Sequence, residues 1–183
     1  MSLRHAILTA LLERPSSGLE LTRRFDKSIG FFWSATHQQI YRELGKLERA
    51  GLIHPLPQQQ PSRGQRKEYE VLPGGREELA RWVGERQDPK PIREALLLRL
   101  RAAAVVGVAG ATGLEAELRR HLALHQRQLS EYQEIEKRDF GSEQPAAEDR
   151  LRHLVLGAGI GLETFWTEWL TDALTELGGS SPG

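Results

Sequence analysis

Apolar residues recur at helical spacing through most of the chain. Leu3, Ile7, Leu8, Leu11 and Leu12 form one stripe over 3–14, which Pro15 ends. Ser17 followed by Glu20 is a capping box, so a second helix is expected to about Lys27, with Leu21 and Phe25 facing in. Thr36 followed by Gln39 is another, opening a helix that Gly51 stops. In that helix Ile40, Leu44 and Leu47 share one face. The opposite face carries Gln38, Arg42, Gly45 and Arg49, with Gln39 and Lys46 beside them and Tyr41 on the flank.

The pattern then shortens. Leu52–Leu56 and Arg66–Leu72 read as two strands around a polar tip at 58–65, a β-hairpin. Arg63, Arg66 and Lys67 lie at the tip and its shoulder with no acid between them. Pro73-Gly74-Gly75 reads as a turn, and 76–86 as a helix with Leu79, Trp82 and Val83 on its apolar side. Asp88-Pro89-Lys90-Pro91 is a rigid break and the expected boundary between an N-terminal domain at 1–87 and a helical one at 88–178.

Ile92–Val106 is apolar nearly all round and is expected to be buried. Thr112 with Glu115 predicts a capped start for a long helix over 114–138. Its Leu118, Leu122, His125, Leu129 and Tyr132 alternate by four and three, as in a coiled-coil seam. The last helix, over 146–177, carries a seam of Leu151, Val155, Ala158, Leu162, Phe165 and Trp169, widened by Leu154, Trp166 and Leu170. Residues 179–183 are expected to be a disordered tail. Two such seams on so small a part imply association with a second copy.

Three helices followed by a basic hairpin is the layout of a winged helix-turn-helix. The predicted class is therefore mainly α with a small β-wing, joined to a helical, coiled-coil-like dimerisation domain. In that layout the third helix enters the major groove and the wing lies along the backbone. Charge supports a nucleic-acid partner. Lys plus Arg and Asp plus Glu are both 25, yet residues 1–72 hold 11 basic and 7 acidic side chains and the remainder 14 and 18. The chain has no cysteine, which excludes disulfides, thiol chemistry and Cys-ligated metals. Without a signal-peptide pattern or a run of about 18 apolar residues, a soluble cytoplasmic protein with no membrane partner is expected.

Other constellations carry less. His121 and His125 stand four apart, a possible metal-ligand spacing, but Leu122, Ala123 and Leu124 between them supply no glutamate, so no metal site is assigned. Gly157, Gly159 and Gly161 resemble a nucleotide loop only superficially. They lie in a helical pattern, where close helix packing explains them better. Phe31, Trp33, Trp166 and Trp169 are read first as core aromatics and second as contacts for a small aromatic effector. No catalytic constellation and no cofactor motif is present.

The segments GLELTRRFDKSIGFFW, THQQIYRELGKLERAGLI, RKEYEVLPGGREELARWV and PIREALLLRL resemble the PadR-type transcriptional regulators, and GLETFWTEWL extends the likeness more weakly to the last helix. Pro73 departs from the threonine of many relatives, which is expected to affect the start of the next helix. The resemblance implies a homodimer that represses by binding a palindromic operator and is often released by a small molecule. It implies DNA contact by Thr36, His37, Gln38, Gln39, Tyr41, Arg42 and Lys46 on the helix and by Arg63, Gly64, Arg66 and Lys67 on the wing. Side-chain chemistry divides the roles. Gln38, Gln39 and Arg42 have bidentate geometry for bases, whereas Arg63, Arg66 and Lys67 suit phosphates. The competing expectation is a winged domain that binds protein and not DNA.

Overall fold

The computed structural model describes residues 3–27, 35–57, 67–107, 111–141 and 145–179. Phe31, Trp33, Arg63, Gly64 and Arg66 lie outside the described residues. Two compact units divide the chain at Pro89 and Lys90.

The first unit runs α1 (Leu3–Glu13), β1 (Ser16–Ser17), α2 (Gly18–Lys27), α3 (His37–Arg49), β2 (Ile53–Pro55), β3 (Glu68–Val71) and α4 (Pro73–Val83). Its core is the set of apolar stripes read from the sequence. Ile7, Leu8, Leu11, Leu21, Phe25, Ile40, Leu44 and Leu47 are buried together with Ile53. Each such side chain gives roughly 1.5–3 kcal/mol relative to an exposed one, so this cluster fixes where α3 sits. Both capping boxes form. Ser17 Oγ accepts the Glu20 N–H at 3.3 Å, and Glu20 Oε2 accepts the Ser17 N–H at 2.8 Å.

The hairpin strands β2 and β3 pair antiparallel, with Ile53 opposite Val71 and Pro55 opposite Tyr69. A third strand joins them. Ser16 and Ser17 pair with Tyr69 and Glu68, giving the order β1-β3-β2. Two residues are too few to show a period of two, so only the fold reveals this strand. Pro73-Gly74-Gly75 is also not a turn. It is the first turn of α4, with Pro73 at a position where its missing N–H costs nothing. The cap residue, Leu72, has no polar side chain and makes no side-chain bond there. α4 ends at Val83, which is 73% exposed and not part of the apolar side.

α4 is held to α1 by polar contacts. His5 stacks on Trp82 with ring centroids 4.4 Å apart and bonds Glu78 at 3.3 Å, and Glu78 pairs with Arg4 and Arg81. Burial works against the Glu78 charge. The bond from His5 and the charges of Arg81, Arg4 and His5 outweigh it, so the carboxyl titrates below its usual range.

The second unit contains α5 (Ala95–Val106), α6 (Leu114–Asp139) and α7 (Ala147–Gly179). Its centre is Leu96, Leu118 and Leu170, with Leu122, Trp166 and Trp169 packed around them. The expected burial of α5 is not observed. Only Leu96 and Ala103 are buried, while Leu98, Val105 and Val106 are exposed. α6 is not capped by Thr112. Gly113 occupies the cap with φ +83°, a left-handed conformation that glycine adopts without strain.

The expected α7 seam also needs correction. Of the expected residues Trp166, Trp169 and Leu170 pack into the core of this unit, together with Ala173, Leu174 and Leu177. Leu151, Val155, Leu162 and Phe165 point away from it and are exposed. Two polar links tie the helices: His125 Nδ1 to Glu163 Oε2 at 2.6 Å, and His153 Nε2 to Glu136 Oε1 at 2.7 Å. Between them Gly159 lies against the Tyr132 ring, where a Cβ would stand 3.0 Å from Cε2. Close approach therefore accounts for Gly159, while a Cβ on Gly157 or Gly161 meets nothing within 4 Å. No helix among the described residues is long and apolar enough to cross a membrane.

Candidate nucleic-acid interface

α3 is presented by its own amphipathicity. Ile40, Leu44 and Leu47 anchor it in the core, which turns Gln38, Gln39, Arg42, Lys46 and Arg49 outward. Thr36 caps it, and the reciprocal Gln39 bond completes the box. At the other end Gly51 has φ +67°, the left-handed stop that favours glycine. The exposed face therefore begins at a fixed point on the sheet-and-helix frame.

The polar side chains on this face are in different states. Among the described residues Arg42 makes no ion pair, so its guanidinium fork is available. Lys46 Nζ instead meets Glu43 Oε2 at 3.0 Å, and Glu43 also draws Arg4 to 3.8 Å. Lys67, at the root of the wing, lies 3.9 Å from Glu48 Oε1 on α3. The lysine end of each pair is exposed, so each ammonium can turn to a phosphate. Burial first, and then the Glu48 charge, push the Tyr69 phenol up, so β3 keeps a neutral hydroxyl between α3 and the wing root.

Tyr41 is 53% exposed, and its ring lies on Gly18 at the start of α2. A Cβ at Gly18 would stand 2.5 Å from Tyr41 Cε1, so any other residue there would displace the ring from this position. Sequence reasoning missed Gly18. A glycine after a capping serine says nothing about a tyrosine that reaches it only in the fold. Thr36, His37, Gln38, Gln39, Tyr41, Arg42 and Lys46 are thus brought together on one exposed surface. Lys67 is the one wing residue of the predicted set within the described residues, and its tie to Glu48 puts it beside that helix.

Trp166 and Trp169 pack in the core of the helical unit. Trp166 stacks on His125 at 5.6 Å and meets Phe165 and Trp169 edge-on. His121 and His125 hold no metal arrangement. His125 is taken by Glu163, and His121 by Glu117. The hydrogen bond from Arg120, helped by His121, holds the Glu117 carboxyl at about 2 despite some desolvation. No group of three metal-binding side chains occurs among the described residues. A cleft of about 490 Å³ opens between α5 and the start of α6, lined in part by Arg99, Ala103, Val106, Leu114 and Glu117. Arg99 is paired there with Glu117 at 3.3 Å, which leaves the cleft mouth without a free charge from either.

Comparison with known proteins gives two adjoining matches. Residues 7–81 match the transcriptional regulator PadR-like family, and residues 92–178 match the family described as virulence activator alpha C-term. A probable transcriptional regulator of Mycobacterium tuberculosis is 40% identical, over 97% of this chain and 98% of its own. The negative transcriptional regulator PadR of Bacillus subtilis is 29% identical, over 96% of this chain and 97% of its own. The crystal structure of that PadR in complex with operator DNA has a TM-score of 0.79, at 27% identity over 96% of this chain and 98% of that one. The same protein in complex with p-coumaric acid gives 0.72 at 28% identity, over 96% and 94%. The Vibrio cholerae virulence activator AphA gives 0.79 at 29% identity, over 98% and 100%. These matches cover both units.

Proposed function

Since the chain belongs to the PadR-like family of transcriptional regulators, we infer that it binds a palindromic operator as a homodimer, represses from there, and is released by a small molecule. It is a transcriptional regulator and not an enzyme. The observation that carries the operator reading is the outer face of α3. Gln38 and Arg42 are exposed there, Arg42 without an ion pair among the described residues, on a helix locked at both ends. Arg42 can grip guanine O6 and N7, and Gln38 the N6 and N7 of adenine. Lys67 stands beside that helix as a phosphate contact.

The homodimer reading is supported by the outward stripe of α7, which nothing among the described residues covers. Two-fold pairing would set two copies of α3 toward successive major grooves, about one helical turn apart. Repression and release are supported by the B. subtilis relative, named a negative regulator and solved with operator DNA and with p-coumaric acid.

Selection of bound sequences from a random DNA pool tests binding, symmetry and half-site spacing together. Arg42→Ala is expected to weaken the selected operator about tenfold or more per half-site and to relax base preference at one position. Lys67→Ala should weaken every sequence alike and reduce the slope of log affinity against log salt by about one per copy. A wild-type protein that enriches no sequence and retains protein partners instead would point to the protein-binding alternative. Effector binding is expected to quench the fluorescence of Trp166 or Trp169. A flat titration across a varied panel of aromatic acids would remove the basis for assigning these residues to an effector.

A further inference from the structure

The polar residues that open the outer face of α3 do not offer the same atoms. Gln39 Oε1 accepts the Thr36 backbone N–H at 2.8 Å, and Thr36 Oγ1 accepts the Gln39 backbone N–H at 3.3 Å. Chemistry sets the orientation of this amide. A backbone N–H faces it, so the atom at that contact has to be the oxygen. The Nε2 amino group is then the part of Gln39 left over, and no hydrogen bond among the described residues uses it. The same logic applies to Thr36. Its oxygen accepts within the box, so its hydroxyl hydrogen is the group left to face outward. Gln38, one residue before Gln39, is exposed and takes no part in the box, so both ends of its amide stay free.

Recognition of adenine in the major groove needs both ends of an amide: the oxygen accepts from N6, and the nitrogen donates to N7. Gln39 Oε1 is held at the Thr36 backbone N–H, so the end of the amide that turns to a base is the donor. Guanine presents two acceptors at that edge and thymine one. We propose that Gln39 reads as a donor only, selecting an acceptor-bearing base, guanine or thymine, and that the capping box sets this polarity. Adenine recognition then falls to Gln38. This inference rests on the operator reading of α3 and makes it more specific. It also revises the bidentate role that the residue type alone suggests for Gln39.

The test is operator selection with the full-length protein, run on wild type, Gln39→Glu and Gln39→Ala. Glutamate is a usual partner at this position of a capping box, so Gln39→Glu keeps the capping oxygen. It replaces the outward donor by an acceptor, which suits cytosine N4 or adenine N6. Thermal unfolding of Gln39→Glu should match wild type. At one position per half-site the preference should invert, from an acceptor-bearing base, guanine or thymine, to a donor-bearing one, cytosine or adenine. Gln39→Ala, which has neither group, should lose the preference at that same position and so locates it independently. The added negative charge acts on the phosphates of all sequences alike, so it cannot by itself produce the inversion. Loss of preference in Gln39→Glu without inversion would mean that both ends of Gln39 read the base. An unchanged selected site in both variants would mean that Gln39 reaches no base. Either result overturns the proposal while the operator reading stands. A wild type that enriches no sequence removes the operator reading itself, and the proposal with it.

Discussion

Leu162→Glu is expected to leave the protein as a single chain in solution and to lower its operator affinity at least a hundredfold. Leu162 is 55% exposed, and it lies in line with Leu151, Leu154, Val155 and Phe165, each 50–70% exposed. With the exposed Ala158 between them, Leu151, Val155, Leu162 and Phe165 are spaced by fours and threes, a continuous apolar stripe on α7 turned away from α6. Burying a leucine gives roughly 1.5–3 kcal/mol, and a two-fold interface buries it twice. A glutamate at the same place loses that gain and adds the cost of desolvating two charges. Together these exceed about 4 kcal/mol, or about a thousandfold in dimer dissociation. Two linked half-site contacts gain about 10²–10⁴ in apparent affinity over one, and a monomer forfeits that gain. Sedimentation and operator binding at nanomolar protein are the measurements. A variant that stays dimeric and binds as wild type would show that this stripe is not the interface. Leu170→Ala makes a useful contrast, because Leu170 is fully buried within the chain. It should lower stability by about 2–5 kcal/mol.

The second large effect is expected at Gly75. This residue is buried in the first turn of α4, under the backbone of Leu52. A methyl group there would be driven into the Leu52 carbonyl oxygen and would stand 2.6 Å from Val71 Cγ1. A backbone oxygen cannot change rotamer, so the cost lies toward the upper end of the about 1–3 kcal/mol of an overpacked site. Alanine recovers up to about 1 kcal/mol of helix propensity. The net expectation for Gly75→Ala is a loss of about 2 kcal/mol and a fall in the melting temperature of the first unit of about 10 °C. Gly74→Ala is the control. Its Cβ would lie 3.7 Å from Leu52 Cδ2, an ordinary contact, so it should be neutral or slightly stabilising. Equal behaviour of the two variants in thermal unfolding would refute the steric account.

Some features were legible because their signals are local. The boxes Ser17–Glu20 and Thr36–Gln39 need only three residues' separation and the chemistry of four side chains, and both form. The inward and outward faces of α3 follow from helical period alone, and every residue of its apolar side is buried. The wing strands were readable as short runs beside a polar tip, and their pairing follows.

Features that depend on what lies opposite were not legible. Ser16 and Ser17 become a strand because β3 offers an edge. Gly18 makes room for Tyr41, and Gly75 for Leu52, and neither glycine differs in sequence from one that ends a helix. α7 has apolar residues on two sides, and periodicity cannot say which side is taken within the chain. The answer comes from polar partners on α6: Glu163 faces His125, His153 faces Glu136, and these pairs turn Leu162 and Phe165 outward. α5 was expected inside because its apolar residues wrap round it, yet most of them face out. Composition measures the need for a cover and not who supplies it.

The sequence by itself determined most of the helices, the caps of α2 and α3 and the polar face of α3, because each depends on residues a few positions apart. The tertiary structure decided which apolar faces are satisfied within the chain and which groups on α3 are still free to bind. Those depend on long-range packing and on hydrogen bonds already made. Gln39 shows the difference most plainly. Its identity promises a donor and an acceptor, and only the bond from Thr36 shows that the acceptor end is held at the helix cap.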